Sequence, residues 1–173
     1  VPAQFTERSD KNQSHVVIAY PGVTMTDPDR YALELMTTVL SGQGGRLFRI
    51  LRDERSLAYS VTAFSRDSLE PGYIGAYIAS APEKTEEALT GLAEQLDRVR
   101  TGGVTADELE DAKRHLVGGF EIALQSSSTQ AEGFGLYELF GLGYADYLRY
   151  PEHLLEVTVD DVARVARQYL DPA

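Results

Sequence analysis

The chain has 173 residues, no cysteine, and 27 acidic against 16 basic side chains, a formal net charge of −11. Such a length suits one domain that buries roughly two-thirds of its unfolded surface without staples, and the missing thiols exclude a disulfide framework or thiolate metal site while leaving the compartment open. The acidic balance lacks the basic footprint that phosphate backbones require, so nucleic acid is not an expected partner, and no run of about 18 apolar residues exists to cross a membrane.

Residues 1–13 form a polar lead-in with neither an initiator methionine nor a signal-like stretch, a start that reads as a cut fragment or a processed chain. If the source is bacterial, a soluble chain of either the periplasm or the cytoplasm is expected. Residues 15–20 (HVVIAY) are a short apolar, β-rich run ended by Pro21-Gly22, which predicts a buried strand in the middle of a sheet. Asp27 before Pro28 offers a helix N-cap with proline at the first helical position, and Tyr31, Leu35 and Val39 then share one face to about residue 41.

Residues 42–45 (GQGG) end that helix and open another, in which Leu47, Ile50 and Leu51 fall on one side while Arg46, Arg49, Arg52 and Arg55 recur every third residue. Residues 58–65 and 73–80 read as strands joined across a loop rich in turn formers, most simply an antiparallel hairpin. Ser80 to Glu83 has capping-box spacing ahead of a helix marked by Leu89, Leu92, Leu96 and Val99, and Thr105 to Glu108 repeats that spacing before Leu109, Ala112, Leu116, Phe120 and Leu124. Inside the latter helix, Gly118-Gly119 costs about 1 kcal/mol per residue relative to alanine, which predicts close packing against another backbone. Ser126, Ser127 and Ser128, with no histidine nearby and no nucleophile-elbow motif, read as a break and cap before a helix over 129–142. Thr158 to Asp161 caps a last helix bearing Val162, Val165 and Tyr169. Strands followed by helices, with antiparallel neighbours, predict an α+β two-layer sandwich whose mostly antiparallel sheet is covered by helices on one face. An unpaired edge of such a sheet could receive an extended peptide.

The run from Gly45 through Arg46-Leu47-Phe48 and Leu51-Arg52 to Leu57-Ala58-Tyr59-Ser60-Val61 closely resembles a signature of the insulinase/pitrilysin-type zinc metallopeptidases, which include the mitochondrial processing peptidases. It resembles their second-half domain, which does not hold the metal. The resemblance extends from about residue 15 to 170 and implies a processing-peptidase-like α+β fold, with residues 1–173 forming one C-terminal-type, zinc-free domain of a longer chain. It implies peptide substrates, zinc on a partner domain or subunit carrying H-x-x-E-H, and an isolated chain without activity. His15, His115 and His153 fit no H-x-x-E-H, so no cofactor is expected in this chain.

By the same resemblance, Arg52 and Tyr59 correspond to the arginine and tyrosine that the second half lends to the shared active site: Tyr59 polarising the carbonyl and stabilising the oxyanion, Arg52 binding and positioning substrate. The chemistry suits these groups, since negative charge develops on the carbonyl oxygen during peptide hydrolysis and a guanidinium is a fixed, always charged fork. Read from the residues alone, such a pair is usually a solvated arginine and a half-buried tyrosine opening a strand. One position departs from the pattern: many members have glycine where this chain has Ser56, and if the backbone there is left-handed, serine is strained and Tyr59 shifts. The alternative function is a non-catalytic scaffold or assembly subunit on the same fold. Residues 42–45 lack the continuation that a phosphate-binding loop requires.

Overall fold

A computed structural model, describing residues 3–8, 10 and 12–171, places strand β1 (Ser14–Pro21), strand β2 (Ser60–Arg66) and strand β3 (Tyr73–Ser80) in one antiparallel sheet of order β1-β3-β2. Val1, at the start read above as a cut, lies outside the described residues. Helices α1 (Asp29–Leu40) and α2 (Thr85–Gly102) cover one face of the sheet. Behind them pack α3 (Ala106–Ala123), α4 (Ser127–Leu139), α5 (Tyr150–Glu156) and α6 (Val159–Tyr169). This is the α+β architecture expected from the sequence.

The central strand is β3, not β1. Along β1 exposure alternates, and Val17 is 58% exposed. The run HVVIAY mimics a strand buried on both sides, but period 2 sends Val16 and Ile18 toward the helices and His15 and Val17 to solvent. In register, Val16 and Val61 flank Ile78, and Ile18 and Ala63 flank Ala76, which fixes the inner face. Beneath it, Leu33, Leu35, Met36 and Leu40 of α1 and Leu92 and Val99 of α2 are fully buried. The edge formed by β2 is guarded: the Ser41 hydroxyl accepts from the Ala63 N–H at 2.8 Å and donates to its carbonyl at 2.9 Å. On the other side, β1 pairs only with β3 among the described strands.

Most helix starts follow the sequence. The Ser126 hydroxyl accepts from Thr129, and full capping boxes stand at Thr105/Glu108 and Thr158/Asp161, whereas α1 starts one residue later than expected, with Pro28 in the cap position and Asp27 Oδ1 accepting from the Asp29 N–H at 2.9 Å. The Ser80–Glu83 box does not form. Strand β3 runs through Ser80, whose hydroxyl is buried without a partner, and a 3-10 turn over Pro82–Lys84 intervenes before α2, which has no side-chain cap. The Gly118-Gly119 expectation also fails, because a Cβ at either position would meet nothing within 4 Å. In α3 the buried residues are Leu109, Ala112 and Lys113, all in its first half, and Ile122 is 68% exposed. Leu116 and Val117 in the second half still pack half-buried against the core.

Candidate active-site segment

The arginine-bearing helix is wound more widely than an α-helix. Residues Phe48–Glu54 adopt π geometry, with Arg55 N–H donating to the Ile50 carbonyl at 3.1 Å, a form concentrated at functional sites. Leu47 and Leu51 are fully buried and anchor the segment from below. Leu51 lies over Gly91 of α2, where an added Cβ would approach its Cδ2 to 2.8 Å.

The four arginines divide into two kinds. Arg46 makes a bidentate fork to Glu108, both contacts at 2.6 Å, and donates to the Gly103 carbonyl at 3.1 Å. Arg55 reaches Glu94 at 3.0 Å and Glu87 at 3.5 Å, one turn to either side of Gly91. These two clamp the helix to α3 and α2. Arg49 and Arg52 are exposed and join no ion pair among the described residues. The Arg52 guanidinium lies 4.7 Å from the centroid of the Phe48 ring, a cation–π contact worth about 0.5–1 kcal/mol at such a site. Sequence reasoning passed over Phe48, although its i,i+4 spacing from Arg52 is the usual signal for such a pair.

The Arg46 guanidinium holds the Glu108 carboxyl down at about 2, against burial, from an ordinary 4.5, with the Thr105 amide assisting. Because the folded value is depressed, the resulting stability is present above the unfolded value and disappears as pH falls from about 4.5 to about 2. For this partly exposed pair we expect Arg46→Met to cost about 1–2 kcal/mol at neutral pH, and urea titrations should show the difference from the parent narrowing across that acid window.

Beyond the helix the chain turns sharply. Ser56 has φ of 51°, the one left-handed non-glycine residue described, and its N–H donates to the Arg52 carbonyl at 3.1 Å. That is a left-handed C-cap in which glycine is the usual residue. Leu57 is buried and its N–H donates to the Leu51 carbonyl at 2.7 Å, while Lys84 Nζ donates to the Ser56 carbonyl at 3.1 Å. The turn is thus braced on both sides despite the strain. We expect Ser56→Gly to stabilise the chain by up to about 1 kcal/mol, measured as a higher urea midpoint; a lower midpoint would contradict the left-handed geometry.

Tyr59 follows, its N–H bound to the Ala79 carbonyl at 2.8 Å. Its side chain is 57% exposed and its hydroxyl makes no hydrogen bond among the described residues. Arg52 and Tyr59 therefore stand exposed on either side of one braced turn, neither engaged with a core polar group. The histidines lie elsewhere: His15 Nδ1 sits 2.7 Å from the Tyr77 hydroxyl, His153 contacts Asp146 at 3.1 Å and stacks on Tyr31, and His115 is exposed. Among the described residues no three His, Cys, Asp or Glu side chains lie together in a way that could hold a metal, so this set does not fit a zinc site.

Fold and motif together place the chain among the inactive domains of the M16 peptidases. The family profile of the peptidase M16 inactive domain matches residues 2–116, and the chain belongs to that family. It is 33% identical over 162 residues to an uncharacterised zinc protease of Streptomyces coelicolor, covering 91% of this chain and 35% of that protein. It is 26% identical to the mitochondrial-processing peptidase subunit beta of Dictyostelium discoideum, covering 90% of this chain and 35% of that protein. In fold it matches an inactive peptidase domain from Bordetella parapertussis with a TM-score of 0.84 at 23% identity, over 97% of this chain and 92% of that one. The chain spans little more than a third of the length of these curated relatives.

Proposed function

We propose that this domain is the substrate-binding half of a zinc metalloendopeptidase, contributing Arg52 and Tyr59 to an active site whose zinc lies on an H-x-x-E-H partner domain or subunit. The observation that carries the reading is the presence of two exposed side chains free of ion pairs and hydrogen bonds across the turn from Leu51 to Tyr59, Arg52 touching only the Phe48 ring, while the neighbouring arginines Arg46 and Arg55 are spent on holding the helix. The division is selective, and it keeps free the positions that suit a peptide carbonyl.

In this reading the Tyr59 hydroxyl donates to the scissile carbonyl oxygen and strengthens that hydrogen bond as negative charge accumulates there. The Arg52 guanidinium, steered by Phe48, donates to a backbone carbonyl or carboxylate of the bound peptide and holds it in register. Neither group generates hydroxide at neutral pH, so the chain alone is inactive and the metal chemistry is supplied by the partner. The test is Arg52→Met in the protein joined to its zinc-bearing half. Loss of a charge-assisted contact should lower kcat/KM by about 10- to 100-fold, mainly through KM. Full activity in that variant would favour the scaffold alternative.

A further inference from the structure

A second feature lies away from the arginine helix, in a cavity of about 350 Å³ bounded by α1, α3, α4 and α5. Its wall is aromatic and continuous: Phe120 contacts both Tyr147 and Tyr150 with ring centroids 5.1 Å apart, and Tyr137 meets Tyr147 at 5.2 Å. Half-buried Glu34 on α1 also lines it. One Glu34 oxygen accepts from the Tyr150 hydroxyl at 2.7 Å, and the other has no hydrogen-bond partner among the described residues. Burial raises the Glu34 pKa above its ordinary value, against the Tyr150 hydrogen bond, and burial keeps the Tyr150 hydroxyl a neutral donor, so the ionised Glu34 carboxylate is the group that stands to gain from a counter-charge.

The cavity mouth is kept clear. Gly119 lines it, and a Cβ there would meet nothing within 4 Å. The helix-weakening Gly119, which no packing explains, is accounted for if a side chain at this point would obstruct entry, whereas Gly118 does not line the cavity and has no such explanation. Arg30, whose charge acts on Glu34 from a distance, has its own hydrogen bonds elsewhere: it donates to the Tyr31 and Tyr137 hydroxyls and lies 3.6 Å from Asp67. His115 sits at the rim, exposed. An apolar occupant would bury the second Glu34 oxygen with no hydrogen-bond donor of its own, whereas a cation supplies that donor and meets the electron-rich rings as well.

We propose that this pocket binds the cationic side chain of a lysine or arginine in a bound peptide, with the Glu34 carboxylate on its head group and the rings of Phe120, Tyr147 and Tyr150 along its stem. The inference stands independently of the peptidase reading, because it is tested on this chain alone. Nα-acetyl-lysine N-methylamide, the arginine analogue and the uncharged norleucine analogue are titrated against the chain while the aromatic ring protons are followed by NMR. The basic compounds should shift the Tyr147 and Tyr150 signals saturably and norleucine should not. Glu34→Gln keeps an acceptor for Tyr150, and Gly119→Leu fills the mouth while favouring the helix; each should weaken binding at least about tenfold, with Gly119→Leu melting no lower than the parent. Equal binding of norleucine, absence of any saturable shift, or lysine binding untouched by both variants would overturn the proposal. None of those results bears on Arg52 or Tyr59.

Discussion

Replacing Tyr59 by phenylalanine should lower kcat of the zinc-bearing assembly by about 10- to 1000-fold while leaving KM nearly unchanged, the pattern of an interaction made only in the transition state. The exchange is clean because of where the hydroxyl sits. It makes no hydrogen bond within the described structure, and the side chain is 57% exposed, so phenylalanine keeps the ring and orphans no buried partner. Melting temperature is therefore expected to match the parent. A cut in kcat without loss of stability would separate oxyanion donation from any structural role. Unchanged turnover would remove Tyr59 from the chemistry and leave the scaffold reading in its place. The complementary Arg52→Met variant reads the other axis, because positioning a peptide acts mainly on KM.

How far the sequence disclosed this arrangement depended on whether local rules or packing decided each element. Caps at Thr105, Ser126 and Thr158 are short-range devices and appear where the residues put them. The hairpin of β2 and β3 was legible for the same reason. Rank within the sheet is a tertiary property, so β1 looked central and is an edge. The 3-10 segment Tyr144–Arg149 and helix α5 went unread: neither start has a side-chain cap, and proline in the first turn of α5 was the one local signal; they form because Leu154 is fully buried and the aromatic side chains of Tyr147 and Tyr150 pack on Phe120. The four arginines were visible as a stripe, but only their acidic neighbours on α2 and α3, distant in sequence, distinguish the two that clamp from the two left free. The serine-for-glycine departure at position 56 was readable as a conditional, and the left-handed φ of Ser56 meets its condition. What kept strain from unravelling the turn was not readable, because Lys84 and the buried Leu57 reach it from outside the motif or from below.

Leu51→Ala should be among the most damaging single changes in the chain, costing about 2–5 kcal/mol of folding free energy against a total of roughly 5–15 kcal/mol. The side chain is wholly buried and seated against Gly91, where the absence of a Cβ on α2 lets the two helices approach. Truncation opens a cavity that a backbone contact of this kind cannot close by rotating a neighbouring side chain. For a chain of this size the melting temperature should fall by about 5–15 °C, whereas Leu139→Ala, at a residue 75% exposed, should stay within about 0.5 kcal/mol of the parent. The consequence reaches the site because Arg52 is the next residue. With Leu51 gone, Arg55 and Arg46 still hold the helix by charge, but nothing apolar sets its depth against α2, and the Arg52 fork loses its fixed height above the turn. Activity in the assembled protease should then fall even at temperatures where the variant remains folded, with KM rising as it does for Arg52→Met. A Leu51→Ala chain that melts with the parent would show that the helix is held by its ion pairs alone, and the packing account of how this segment presents Arg52 would fail.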